Sequence, residues 1–201
     1  MKIRLMQPED WQNVSVINTL AFDAFYRQTN RPLQNGNRTR ENIHSGLAMF
    51  PEGCFVAEEG ELIIGFVFSR HWGQQAWIGV FGVDPQAQGK GVGKQLLSAS
   101  IAALQSAGYN AIGLETMPAS PYNVGLYMSM GFFPGYNTLY MVKPVDPKSE
   151  PKACITLQQI SLDEGLEQIS HLSRLANPTV DYAGEARNAL DYQWGDVLLP
   201  N

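Results

Sequence analysis

The chain has 201 residues, 44% of them apolar and 16% charged, which supports one real core with at most an appendage beside it. A net charge of −5 argues against a general nucleic-acid binder and would suit a cationic partner, although a weak acidic bias is ordinary for cytoplasmic proteins. The longest apolar stretch, Leu62 to Phe68, is too short to span a bilayer, and the N-terminus lacks the apolar segment of a secretory signal. No membrane association and a cytoplasmic location are therefore expected. Cys54 and Cys154 have no metal-ligand spacing and read as reduced thiols, with no metal expected.

Taken in order, Lys2 to Met6 alternates polar and apolar residues as a first strand. Pro8-Glu9-Asp10 opens a helix with Trp11, Val14, Ile17, Leu20 and Ala21 along one stripe, followed by the aromatic group Phe22, Phe25 and Tyr26. Gln28 to Arg40 is polar and reads as loop, before a short helix near Arg40 to Met49. Pro51-Glu52-Gly53 resets the chain, and Cys54–Glu58 and Leu62–Arg70 are strands joined by the hairpin-length turn Glu59-Gly60-Glu61. Ile63, Ile64, Phe66, Val67 and Phe68 are too continuously apolar for an edge, so this strand is expected near the middle of a sheet. After His71 to Gln75, another strand runs from Trp77 to Val83 and stops at Asp84-Pro85, because proline has no N–H for the ladder and fixes its own φ.

Three glycines then alternate, Gly89, Gly91 and Gly93, where the pattern turns helical through Val92, Leu96, Ala99, Ala103 and Ala107, with Gly108 as the C-terminal cap. Several N–H groups at a helix start have no intrahelical partner and the dipole there is positive, so a polyanion can approach a backbone that carries no Cβ. The local chemistry is that of a phosphate or pyrophosphate cradle. A P-loop would need a glycine at Gln88 and a hydroxyl at Gln95. A dinucleotide fingerprint would need a glycine where Lys94 or Leu96 stands. The pattern Gln/Arg-x-x-Gly-x-Gly/Ala is met throughout by Gln88-Gly89-Lys90-Gly91-Val92-Gly93. A bare turn would not call for three glycines and two lysines at one helix start.

Ala111 to Thr116 is the next strand and must lie parallel to Trp77–Val83, because a crossover helix separates them. Pro118 and Pro121 interrupt, Asn123 to Met130 gives a short helix, and Phe132 to Val142 a last strand. The fold class is α/β: an α+β mixed sheet with helices on both sides. In Ser120 to Phe132 an asparagine and then a tyrosine precede Gly131-Phe132. With the glycine turn some 30 residues upstream, this order of motifs resembles the GCN5-related N-acetyltransferase (GNAT) superfamily, over about Lys2 to Pro144.

The resemblance implies an acyl-CoA N-acyltransferase fold over residues 1–144 with acetyl-CoA as cosubstrate. Phe81, Gly82 and Val83 would part from the neighbouring strand and bond the pantetheine arm through their backbone. The amides of Gln88, Gly89, Lys90, Gly91, Val92, Gly93 and Lys94 would hold the pyrophosphate, and Asn123 would face the pantetheine. Tyr127 would be the general acid for the departing thiolate, protonated at neutral pH yet able to donate. The first two helices and their loop would border the acceptor. Where the histone-modifying branch carries a glutamate on the strand, this chain has Trp77, which leaves Glu115, His71 and Asp84 as candidate bases. Glu115 is the first choice, at the expected divergence of the two parallel strands; many relatives use water chains instead.

Residues 145–152 carry prolines and charges and read as a stiff linker. Residues 153–201 are too few for an assured core of their own and should dock on the first domain or on another subunit, so a homodimer is one outcome. A shift of 152 lays Ile155, Leu157 and Gln159 over Ile3, Leu5 and Gln7, and Leu166, Ile169 and Leu172 over Val14, Ile17 and Leu20. This spacing suits a partial second repeat without a second glycine cradle. Asp181 to Asp191 reads as a helix and Trp194 to Leu199 as a strand. The leading function is acetyl transfer from acetyl-CoA to a primary amine of a small molecule or peptide; the alternative is a CoA-binding sensor or scaffold.

Overall fold

The apolar run expected at the centre of a sheet becomes β3, Leu62–Trp72. A computed structural model, describing residues 1–28, 38–117, 120–135, 154–156 and 160–200, places β3 third of five strands. The others are β1 (Lys2–Leu5), β2 (Phe55–Glu59), β4 (Gln75–Val83) and β5 (Ile112–Leu114), and the order follows the sequence. β1 to β4 are antiparallel neighbours, while β4 and β5 run parallel across the helical crossover.

Both faces of the sheet are covered, which is why β3 is apolar on every residue from Phe66 to Phe68. On one face Val14 and Ile17 of α1 (Trp11–Gln28) and Ile43 and Leu47 of α2 (Arg40–Met49) pack on Val56, Phe66 and Phe68. On the other, Leu96, Leu97 and Leu104 of α3 (Val92–Ser106) pack on Ala57, Val67 and Ile78. The buried hydroxyls of Ser69 and Ser100 hydrogen-bond each other and tie β3 to α3 without leaving a polar atom unpaired.

Local chemistry fixes the ends of these elements. Arg4 of β1 donates to both oxygens of Asp10, at 2.7 and 2.8 Å, and to Glu58 of β2 at 2.6 Å. One guanidinium thus locks the start of α1 to two strands, in the bidentate geometry that makes such bonds strong. Thr39 and Asn42 form a capping box at α2. At the end of α3, Gly108 takes φ +94°, Tyr109 N–H bonds Leu104 O and Gly108 N–H bonds Gln105 O, the Schellman arrangement expected of that glycine.

Several bounds differ from the sequence reading. α1 carries the aromatic group Phe22, Phe25 and Tyr26 inside its last turns. β3 and β4 extend through Trp72 and from Gln75, so what reads as a loop is a tight hairpin turn at Gly73, φ +62°. β5 is shorter, and α4 covers Pro121–Ser129 behind a Ser120 cap. Residues 132–135 form no strand, and the rest of the expected last strand lies outside the described residues, as does the expected linker 145–152.

Beyond it, β6 (Cys154–Thr156), α5 (Leu162–Ala176), α6 (Ala183–Asp191) and β7 (Leu198–Pro200) follow, with β6 and β7 antiparallel. Strand, two helices, antiparallel strand is also the order of β1, α1, α2 and β2. This segment touches the first unit mostly through polar groups. Asn188 Nδ2 donates to Ser45 O at 3.0 Å, Trp194 Nε1 to Ser45 Oγ at 3.0 Å, Trp72 Nε1 to Glu185 at 2.9 Å and Gln74 N–H to Thr179 O at 2.9 Å. Ile169 is buried in the segment's own cluster with Ala186 and Leu199, while Leu172, Leu175, Trp194 and Leu198 stay exposed. Among the described residues no helix is long and apolar enough to cross a membrane.

Candidate active site

β4 and β5 are paired at Ala76–Ile112, Trp77–Gly113 and Ile78–Leu114, and there the pairing ends. From Gly79 to Val83, β4 continues with no strand beside it on that edge among the described residues. The register to β3 slips at the same point: Val67 faces Phe81 but Ser69 faces Ile78, so β4 holds one extra residue around Gly79 and Val80. Such a bulge bends a strand and increases its twist. Along the parted edge, those backbone groups of Phe81 to Val83 that do not pair with β3 face away from it, on the side open to an extended ligand.

The strand then runs straight into the glycine turn. Asp84 accepts the Gln86 N–H at 2.8 Å and Pro85 begins a short 3-10 turn. Gln88 folds back so that its Nε2 donates to Val83 O at 3.1 Å, closing the turn onto the end of β4. Gly89 and Gly91 have φ +76° and +80°, left-handed backbone that favours glycine, and a Cβ on either would meet nothing within 4 Å. Open space thus lies in front of both, which a phosphate can enter. Gly93 is glycine for a different reason: a Cβ there would lie 2.8 Å from the Phe81 ring, so α3 can start this close to β4 only without one. The first helical bond is Gln95 N–H to Gly91 O, so the N–H groups of Val92, Gly93 and Lys94 precede it and point out of the helix start. Lys90 and Lys94 are exposed beside them. These residues fit a pyrophosphate.

Asn123 and Tyr127 share one face of α4, four residues apart. Asn123 is half-buried near the capped end, where its N–H lies 3.4 Å from Ser120 Oγ. Tyr127 belongs to the apolar cluster of β4 and α3 and packs edge-on against Phe132. Burial of the side chain pushes its pKa up to about 12.

The three candidate bases separate clearly. Glu115 is exposed and stands one residue beyond Leu114, where β5 leaves β4. His71 pairs across from Ala76 instead, stacks on Tyr109 and meets the Phe50 ring edge-on, with a buried Nδ1 that has no partner among the described residues. Asp84 is committed to capping the turn. Trp77, in the glutamate's place, lies against β5: a Cβ on Gly113 would come within 2.2 Å of its ring. The indole therefore wedges the paired end of the fork. Sequence reasoning missed Arg70, whose Nε and Nη2 lie 3.5 Å from where a Cβ on Gly79 would stand, and Arg38, which bonds Asn18 of α1 at 3.2 Å; their only signal was a cation ending an apolar strand and another beside a helix cap. Among the described residues no group of metal-ligating side chains comes together.

A parted strand pair with a bulge, leading into a glycine-rich helix start, is the geometry on which family comparisons bear. The Acetyltransferase (GNAT) family model matches residues 9–132. The chain belongs to the GNAT acetyltransferase family. Mycothiol acetyltransferase of Thermobispora bispora is 37% identical over 89 residues, covering 41% of this chain and 30% of that protein. Mycothiol acetyltransferase of Propionibacterium freudenreichii is 30% identical over 144 residues, 66% of this chain and 43% of that protein. The chain thus spans less than half the length of these curated relatives. Two solved structures share the GNAT fold. A candidate acetyltransferase of Pyrococcus horikoshii has TM-score 0.67 and 17% identity, covering 98% of this chain and 63% of that one. The ribosomal-protein-S18-alanine N-acetyltransferase of Escherichia coli has TM-score 0.54 and 20% identity, covering 67% and 79%.

Proposed function

We propose that this GNAT chain is an acetyl-CoA-dependent N-acetyltransferase that acetylates a primary amine of a small molecule or peptide by direct attack. The observation that carries the reading is the fork of β4 and β5 opening onto the Gly89–Gly93 helix start. In it the amides from Gln88 to Lys94 bind the pyrophosphate, and the backbone of Phe81 to Val83 and the side chain of Asn123 hold the pantetheine arm. The amine nitrogen attacks the thioester carbon, the C–S bond breaks, and the thiolate takes a proton from the Tyr127 hydroxyl. A tyrosine with a raised pKa is fully protonated when that charge develops. Glu115 receives the amine proton, directly or through water. Trp77 in the glutamate's place is the feature that favours the second reading, a CoA sensor or scaffold with little catalysis.

The segment 153–201 is read as a partial second repeat, on its matching element order and spacing. Calorimetry with acetyl-CoA, followed by thiol release over a panel of amines that includes the acceptors of the mycothiol enzymes, tests the function. Saturable CoA binding with turnover of any amine supports the enzyme; binding without turnover supports the sensor.

A further inference from the structure

Two guanidinium groups lie on the α1/α2 side of the sheet, Arg70 beside the bulge of β4 and Arg38 against α1, and among the described residues one carboxylate, Glu185, comes within 4 Å of Arg70 and none of Arg38. Arg70 is paired with Trp77 across the β3–β4 register, and its Nε and Nη2 lie 3.5 Å from where a Cβ on Gly79 would stand. It therefore covers the point at which β4 loses β5. Its guanidinium sits 5.9 Å over the Trp72 ring, and its nearest carboxylate oxygen, on Glu185, is 3.9 Å away. Glu185 spends its other oxygen on the Trp72 indole at 2.9 Å. Arg38 stands just before the Thr39 cap of α2, held by its carbonyl, which accepts from Ser15 Oγ at 2.6 Å. Its side chain is half-buried and donates from Nε to the buried Asn18 at 3.2 Å, a neutral partner. No ion pair to Arg38 occurs among the described residues. Burial and the like charge of Arg70 lower the Arg38 guanidinium from its ordinary value.

The protein as a whole is acidic, with 19 Asp and Glu against 14 Lys and Arg, so two cations gathered at one half-buried place run against its general charge. Each guanidinium has five N–H donors in a planar fork that matches a carboxylate or phosphate, and most of those donors have no acceptor among the described residues. A packing role would be met as well by an apolar side chain, and a docking role by Arg70 alone. We propose that the acetyl acceptor is an amine that also carries an anionic group, a carboxylate or a phosphate, which Arg38 and Arg70 hold on the α1/α2 side of the bulge while the amine reaches the gap between β4 and β5. The proposal rests on the acetyl-transfer reading for the amine's fate but not for the anion's binding. A neutral analogue leaves two half-buried like charges unmatched, the situation in which a polar site discriminates most strongly.

The test uses matched pairs: amino acids against their primary amides, and amino-sugar phosphates against the parent amino sugars. Thiol release measures turnover, and calorimetry measures binding of the N-acetylated acid and N-acetylated amide to the protein with and without CoA. In one of the two pair types the anionic member should be favoured by at least about 10²-fold, toward the ~10⁴–10⁵-fold seen when a site built for a polar group meets an analogue lacking it. Arg38→Met should bring the anionic member down to the level of its neutral twin, with the melting temperature and the acetyl-CoA affinity unchanged. Arg38→Lys and Arg70→Lys, which keep the charge and lose the fork, should retain part of the preference. Equal use and equal binding of both members in both pair types would overturn the anion site, as would an Arg38→Met variant that weakens both members alike. Absence of CoA binding would instead remove the acetyl-transfer reading, and the acid–amide comparison on the CoA-free protein would still decide the anion site.

Discussion

Tyr127 is 9% exposed, with its ring packed, so removing its hydroxyl oxygen disturbs little of the fold. Tyr127→Phe should lower turnover by about 10²–10⁴-fold while leaving acetyl-CoA affinity alone, the signature of an interaction made only in the transition state. Unchanged turnover would exclude Tyr127 as the acid. The same burial sets a pH dependence. Tyr127 is raised from 10.0 to about 12, and the Cys54 thiol from 9.0 to about 12, both mainly by desolvation. A group held protonated in the fold binds its proton more tightly folded than unfolded, so its stability contribution is complete below the unfolded pKa and is lost as pH rises through the folded one. Melting temperature should therefore fall progressively between pH 9 and 12, and Cys54→Ala should flatten the lower part of that fall. Cys54 should also resist alkylation at pH 8 in the native protein, read by mass spectrometry of the labelled peptide, because it is fully buried and hydrogen-bonded to Phe50 O.

At the scale of elements, the fork depends on what separates β4 from β5. Trp77 fills the paired end, and Gly113 is the residue that makes room for it. Gly113→Ala should cost about 1–3 kcal/mol, as overpacking does, and the cost should vanish in a Trp77→Ala background, measured by urea unfolding of the four proteins. Equal destabilisation in both backgrounds would show that the glycine matters for its backbone instead. Much of this architecture is legible in the sequence: the unbroken apolar run of β3, the proline stop of β4, the three glycines and the amphipathic period of α3 each have a local cause. The bulge is not, because it is a mismatch between two strands paired at long range, and neither strand alone encodes it. The hairpin ends were misread for a related reason. Trp72 and Gln75 look like loop because they are aromatic-polar and flank a glycine, yet Thr179 from the C-terminal segment covers them, bonding Gln74 N–H and Gln75 Nε2. Arg38 and Arg70 escaped in the same way, since only the packing of α1 and α2 on the sheet brings them together.

For the whole molecule, the question is what the C-terminal segment does for the rest. Among the described residues its contacts with the first unit include hydrogen bonds with Ser45, Trp72, Gln74 and Gln75, the Arg70–Glu185 ion pair at 3.9 Å and the Trp72–Tyr182 ring contact. Its apolar side chains mostly serve its own small cluster of Ile169, Ala186 and Leu199. A groove of about 440 Å³ lined by Ile169, Leu172, Ala186, Val197 and Leu198 remains open on it. Leu172, Leu175, Trp194 and Leu198 are 39%, 69%, 52% and 57% exposed. Ending the chain at Lys148 would remove the exposed Leu172, Leu175, Trp194 and Leu198 and bare the Trp72 ring that Tyr182 covers. Each lost hydrogen bond contributes about 0.5–1.5 kcal/mol, so a few kcal/mol of stability should go, seen as a lower melting temperature. Self-association by light scattering should not increase, and the acetyl-CoA affinity should hold, because the Gly89–Gly93 turn and α4 make none of these contacts. A truncated protein that stayed folded yet lost acetyl-CoA would place the segment in the cofactor site. One that aggregated more than the full chain would show that the segment shields apolar surface on the first unit.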